Sequence, residues 1–129
     1  MERPRLLLID DEPALAAFIA NAAGLSGYSA QVAIDYIEFR AKFLENRPNM
    51  IALDLGMPGM DGVELLRFLA EENYGGPVLI ISGFDRRVLE SAFRLGLALG
   101  LNMVGPLEKP VRLEVLETLL NSLRPTLVP

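Results

Sequence analysis

Three runs of four apolar residues, uninterrupted by anything polar, constrain this chain most: Leu6-Leu7-Leu8-Ile9, Met50-Ile51-Ala52-Leu53 and Val78-Leu79-Ile80-Ile81. A strand with one face in water alternates apolar with polar residues. A continuously apolar strand needs cover on both faces, which a parallel sheet between two layers of helices provides. The strands are expected at Arg5 to Asp10, Tyr28 to Ala33, Met50 to Asp54 and Val78 to Ser82, with a weaker fifth at Met103 to Leu107. Pro106 places that fifth strand at an edge, since proline cannot donate to a central ladder.

The intervening segments carry helical periodicity and start signals. Pro13 suits a first helical turn after Asp11, with Leu15, Phe18, Ile19 and Ala22 on one face. Asp35 with Glu38, and Asp61 with Glu64, have the spacing of N-terminal caps. The first pair opens a helix expected to bury Ile37, Phe39, Phe43 and Leu44; the second opens one with Leu65, Leu66, Phe68 and Leu69. A fourth helix is expected from about Arg86 to Leu99, and a fifth repeats Leu113, Leu116, Leu120 and Leu123. Gly24 to Gly27 and Asn73 to Pro77 serve as helix-to-strand turns. Five strands alternating with five helices make a doubly wound α/β domain with right-handed crossovers. It is expected over residues 1–123, leaving 124–129 as a tail or a linker to an absent output domain.

Composition narrows the chemistry. The chain has no cysteine and no histidine, so thiolate nucleophiles, imidazole bases and the usual zinc ligands are excluded. A formal charge of -5 gives no basis for direct nucleic-acid binding. No apolar run is long enough to span a membrane, and none resembles a signal-peptide core, so a cytoplasmic protein is expected.

Ligands of open α/β sheets collect at the carboxyl ends of the strands. Here the first strand ends in Asp10-Asp11, the third in Asp54, the fourth in Ser82-Gly83, and the fifth leads into Glu108-Lys109-Pro110. Taken singly, Asp11 reads as a helix cap, Ser82 as a turn residue and Lys109 as a surface charge. Their recurrence at successive strand ends makes a site. Like carboxylates at ~4 Å repel by on the order of 4 kcal/mol per pair at an effective dielectric near 20. A divalent cation relieves this, and Mg²⁺ suits a site that keeps waters and shares a phosphate. Lys109 adds positive charge, while the Ser82 hydroxyl and the Gly83 amide can donate to a phosphoryl oxygen.

These residues resemble the receiver domain of bacterial two-component response regulators, from Leu6 to about Leu123. The resemblance rests on the acidic pair Asp10-Asp11, the loop Asp54-Leu-Gly-Met-Pro-Gly-Met-Asp-Gly62, and Lys109-Pro110. It implies a flavodoxin-like sheet of order 2-1-3-4-5. It also implies that Asp54 accepts a phosphoryl group from a sensor histidine kinase, a phosphotransfer protein or a small phosphodonor. Asp10, Asp11, Asp54 and the backbone carbonyl of Gly56 would hold Mg²⁺; Ser82, Gly83 and Lys109 would hold the phosphate. Such a domain catalyses only its own phosphorylation and dephosphorylation. Its face of fourth helix, fifth strand and fifth helix would meet a partner or a second copy. One departure stands out: Pro106 replaces the family's aromatic switch residue, three positions before the lysine. A phosphate-independent interaction module is the alternative that this departure raises. A phosphohydrolase is disfavoured because Gly56 stands where such enzymes commonly carry a second Asp.

Overall fold

The computed structural model describes residues 3–55, 62–83 and 86–127. Five strands, β1 (Arg5–Ile9), β2 (Ser29–Ala33), β3 (Met50–Asp54), β4 (Pro77–Ser82) and β5 (Asn102–Glu108), alternate with five helices. The helices are α1 (Pro13–Leu25), α2 (Tyr36–Glu45), α3 (Gly62–Glu71), α4 (Arg86–Ala98) and α5 (Leu113–Leu127). All four strand pairings are parallel, and the sheet runs β2-β1-β3-β4-β5, the order expected.

The uninterrupted apolar runs are the central strands, and their residues divide by pleat between two cores. Leu7, Ile9, Ile51, Leu53, Val78 and Ile80 face α2, α3 and α4. Leu6, Leu8, Met50, Ala52, Leu79 and Ile81 face α1 and α5. Successive side chains on a strand point to opposite faces, so a strand roofed on both sides has no position left for a polar residue.

At α2 the Asp35 carboxylate accepts from the Glu38 amide at 2.8 Å, as a cap should. The face it buries differs from expectation. Phe39 and Phe43 are buried and Tyr36 packs beside them, whereas Ile37 is 80% and Leu44 59% exposed. Positions 36, 39 and 43 form one stripe, and the Phe43 ring meets Phe68 edge-on at 5.3 Å, so Ile37 and Leu44 lie a step around the helix. In α3 the expected Leu65, Leu66, Phe68 and Leu69 are all buried. The capping role of Asp61 lies outside the described residues.

Helix α1 is entered through Glu12, so the reading of Asp11 taken singly as its cap falls away. Two further expectations are corrected. Leu113 is 42% exposed, because α5 contacts the core from Leu116 onward. Arg124 to Leu127, expected as a tail, continue α5. Leu127 packs against the α1 side of the core, and the Arg124 stem lies across Gly27, where a Cβ would stand 2.9 Å from the arginine Cδ. Pro125 costs this last turn a backbone donor, and those contacts offset the loss.

Pro106 lies on edge strand β5, as its lack of a donor requires. The register with β4 slips there. Leu79 pairs with Val104 but Ile81 pairs with Leu107, so one extra β5 residue is absorbed in a bulge at Gly105-Pro106. Gly105 has φ 87°, and a Cβ on it would meet Leu79 Cδ1 at 2.8 Å.

The turn into β4 gives a test of close packing. A Cβ on Gly76 would collide with the Asn49 carbonyl oxygen and the Tyr74 hydroxyl, while one on Gly75 meets nothing within 4 Å among the described residues. Gly76→Ala is expected to cost roughly 2 kcal/mol or more in urea unfolding, and Gly75→Ala to stay within about 0.5 kcal/mol. Equal effects at the two positions would contradict this packing.

Candidate functional site

The register of the sheet assembles the site. Ile9 pairs with Leu53, so Asp10 and Asp54 stand one step further on at a common level. Ser82 pairs with Glu108, which brings Lys109 to the same rim from the other side. Backbone bonds continue past the strand ends and hold these residues: Asp10 N–H to Ala33 O at 3.1 Å, Leu55 N–H to Ile81 O at 3.0 Å, and Lys109 N–H to Ser82 O at 2.9 Å. Asp10, Asp54 and Ser82 are buried, with 1%, 2% and 2% exposure, and Asp11 is exposed. The sheet therefore fixes the inner carboxylates and leaves Asp11 at the mouth.

Carboxylate oxygens of Asp10, Asp11 and Asp54 lie within 4.8 Å of one another, close enough to hold one divalent cation. Asp10 Oδ1 accepts the Glu12 amide at 2.9 Å, while its buried Oδ2 has no hydrogen-bond partner among the described residues. A buried acceptor left without a donor is costly in a folded protein, and a hard cation is the partner this donor set suits. Burial pushes the Asp10 carboxyl up to about 6, with the Asp54 charge adding to the rise and the Glu12 amide and Lys109 opposing it.

Lys109 Nζ lies 2.9 Å from Asp54 Oδ2 and 3.6 Å from Glu12 Oε2. Burial works to lower the lysine's pKa. The hydrogen bond and charge of Asp54, with the charges of Asp10 and Glu12, outweigh it and hold the pKa above its ordinary value. Gly83 has a use the sequence did not reveal: a Cβ there would lie 3.0 Å from Lys109 Cδ, so the glycine leaves room for the lysine stem. The expected residues Asp10, Asp11, Asp54, Ser82, Gly83 and Lys109 thus gather at one rim, and Gly56 lies outside the described residues. Glu12 was missed; its adjacency to the acidic pair was the available signal.

A buried acidic cup faced by a lysine, at the carboxyl rim of a doubly wound parallel sheet, defines a domain suited to a cation and a phosphoryl group. The response regulator receiver domain profile matches residues 6–121, and the chain belongs to that family. Over 81 residues it is 38% identical to the transcriptional regulatory protein TrcR of Mycobacterium tuberculosis, covering 63% of this chain and 32% of that protein. Over 80 residues it is 39% identical to the nitrogen assimilation regulatory protein NtrX of Azorhizobium caulinodans, covering 60% of this chain and 18% of that one. These matches span a third or less of the relatives' length. Among solved structures, a response regulator from Colwellia psychrerythraea superposes with a TM-score of 0.77 at 32% identity, covering 97% of this chain and 99% of that one. The receiver domain of Francisella response regulator 1452 gives 0.77 at 29%, covering 95% and 98%. The chain is a receiver domain of the two-component response-regulator type.

The raised Asp10 pKa sets a sign for stability. Its folded value lies above the ordinary 3.8, so its contribution is full below about pH 4 and is lost as pH rises through about 6. In chelator at about pH 8, Asp10→Asn is expected to be more stable than wild type, by on the order of 1–3 kcal/mol in urea unfolding, with the gain shrinking toward about pH 5. A variant no more stable than wild type at the higher pH would show that the cup is not under charge repulsion.

Proposed function

We propose that Asp54 is the phosphoacceptor and that this domain switches a partner or output surface when it is phosphorylated. The observation that carries the reading is the pairing of Asp54 Oδ2 with Lys109 Nζ at 2.9 Å beside an Asp10 oxygen that has no partner among the described residues. It supports the reading because Asp54 then has a positive charge on one oxygen and the acidic cluster beside it. Asp10, Asp11 and Asp54, with the Gly56 carbonyl that the family pattern implies, would hold Mg²⁺. When bound, the ion neutralises charge on the carboxylates and on the transferring phosphoryl oxygens.

An Asp54 oxygen attacks phosphorus in line with the leaving group. For a phosphohistidine donor the P–N bond breaks and its electron pair returns to the imidazole, which takes a proton from solvent. Lys109 and Ser82 then bind phosphoryl oxygens, and Gly83 keeps the lysine's approach open. Positioning and charge neutralisation supply most of what phosphoryl transfer requires. Water attacking the same phosphorus later cleaves the acyl phosphate, restores the Asp54 carboxylate and releases inorganic phosphate. The domain's only reactions are thus its own phosphorylation and dephosphorylation.

The donors proposed are a sensor histidine kinase, a phosphotransfer protein or a small phosphodonor, in the cytoplasm. The surface proposed for a partner or second copy is α4-β5-α5, where Gly105, Leu107, Val115 and Leu119 line an open groove of about 450 Å³. With a net charge of -5, direct nucleic-acid contact is not proposed for this domain. Pro106 bears on how the phosphorylated state is passed on, not on whether phosphate arrives.

Acetyl phosphate with Mg²⁺ should add one phosphate-sized mass, seen by intact-mass spectrometry. Chelator should prevent it, and Asp54→Asn should abolish it. An adduct of equal yield on Asp54→Asn would remove Asp54 from the assignment.

A further inference from the structure

Lys109 is shared by two carboxylates of different standing. Asp54 is buried at the strand end, and Glu12, 59% exposed at its side chain, reaches the same ammonium at 3.6 Å. Glu12 is not loosely placed. Its amide donates to Asp10 Oδ1 at 2.9 Å, and its carbonyl accepts the Ala16 amide at 2.9 Å at the entry to α1. The backbone carrying the outer charge is therefore pinned by the same carboxylate that helps form the cup. Glu12 also borders an open groove of about 460 Å³ with Leu15, Phe18, Lys109, Pro110 and Val111, which leads along α1 to the lysine.

We propose that Glu12 is a selectivity residue, a fixed negative charge outside Lys109 that disfavours small anionic phosphodonors. The inference rests on the reading of Asp54 as phosphoacceptor. A donor such as acetyl phosphate arrives largely as a dianion and has no contact surface beyond its charge. Glu12 repels it on approach and draws on the lysine charge that would receive it. A protein donor presents its phosphohistidine on a surface that can cover the apolar wall of Leu15, Phe18 and Val111, and that contact offsets the repulsion. Since Glu12 is solvent-exposed, its field is screened by salt, which separates it from any structural effect.

The test compares wild type with Glu12→Gln, Glu12→Asp and Glu12→Lys in saturating Mg²⁺, following adduct formation by intact mass. Two donors of different charge are used: acetyl phosphate, and phosphoramidate, which carries less net negative charge. At low salt, Glu12→Gln is expected to raise the second-order rate with acetyl phosphate about threefold to tenfold, and Glu12→Lys further. Glu12→Asp, which keeps the charge, should stay within about twofold of wild type. The gain should be smaller with phosphoramidate and should largely vanish at about 0.5 M salt. Mg²⁺ midpoints from thermal melts without donor should be alike in wild type and Glu12→Gln. Unchanged rates, equal gains with both donors, or a gain indifferent to salt would each overturn the role of Glu12. So would a large loss of Mg²⁺ affinity, since it would make Glu12 part of the metal cup. Absence of an adduct on wild type would instead overturn the phosphoacceptor reading, and the inference with it.

Discussion

Two carboxylates buried side by side, Asp10 and Asp54, set the terms for everything at the rim of this sheet. Burial resists ionisation of Asp10, and a second carboxylate at the same level makes it harder still. The fold answers with Lys109, held to Asp54 at 2.9 Å, and among the described residues one Asp10 oxygen has no donor. The arrangement is incomplete by itself. A protein that needed only stability would replace such a cluster with apolar residues. That it stands here, in a receiver domain, is the basis on which a metal and a phosphate are proposed for it.

The strands make this strain tolerable. Asp10, Asp54 and Ser82 lie at or just beyond the ends of central strands whose apolar residues are covered on both faces, and Lys109 follows the edge strand β5. The cores on the two sides of the sheet hold the strand ends in register, so that residues far apart in the chain meet without a long loop to position them. The unfavourable charge interaction occupies one rim, while the apolar contacts that oppose it are spread across the whole domain.

Much of this was legible in the sequence because the relevant signals are local. Uninterrupted apolar runs mark buried parallel strands, and the residues that follow them mark the rim. That logic located Asp10, Asp11, Asp54, Ser82 and Lys109 together. What was not legible depends on three-dimensional neighbours. The apolar character of Ile37 and Leu44 says nothing about which side of a ten-residue helix the sheet will cover. Arg124 to Leu127 carry a proline and read as a tail, yet Gly27 and the α1 core, about a hundred residues away in sequence, hold them in a helix. The approach of Glu12 to Lys109 joins two ends of the chain, and no local pattern marks it.

The bulge at Gly105-Pro106 has a consequence for how this domain can associate. The outermost strand of an open sheet offers unpaired amides and carbonyls to any passing extended segment, which invites strand-by-strand growth into fibres. On the β5 border the proline removes a donor and the added residue breaks the regular spacing of the remaining ones. A visiting strand would find no matching ladder. Assembly across this border would rely on side-chain surfaces in place of strand pairing.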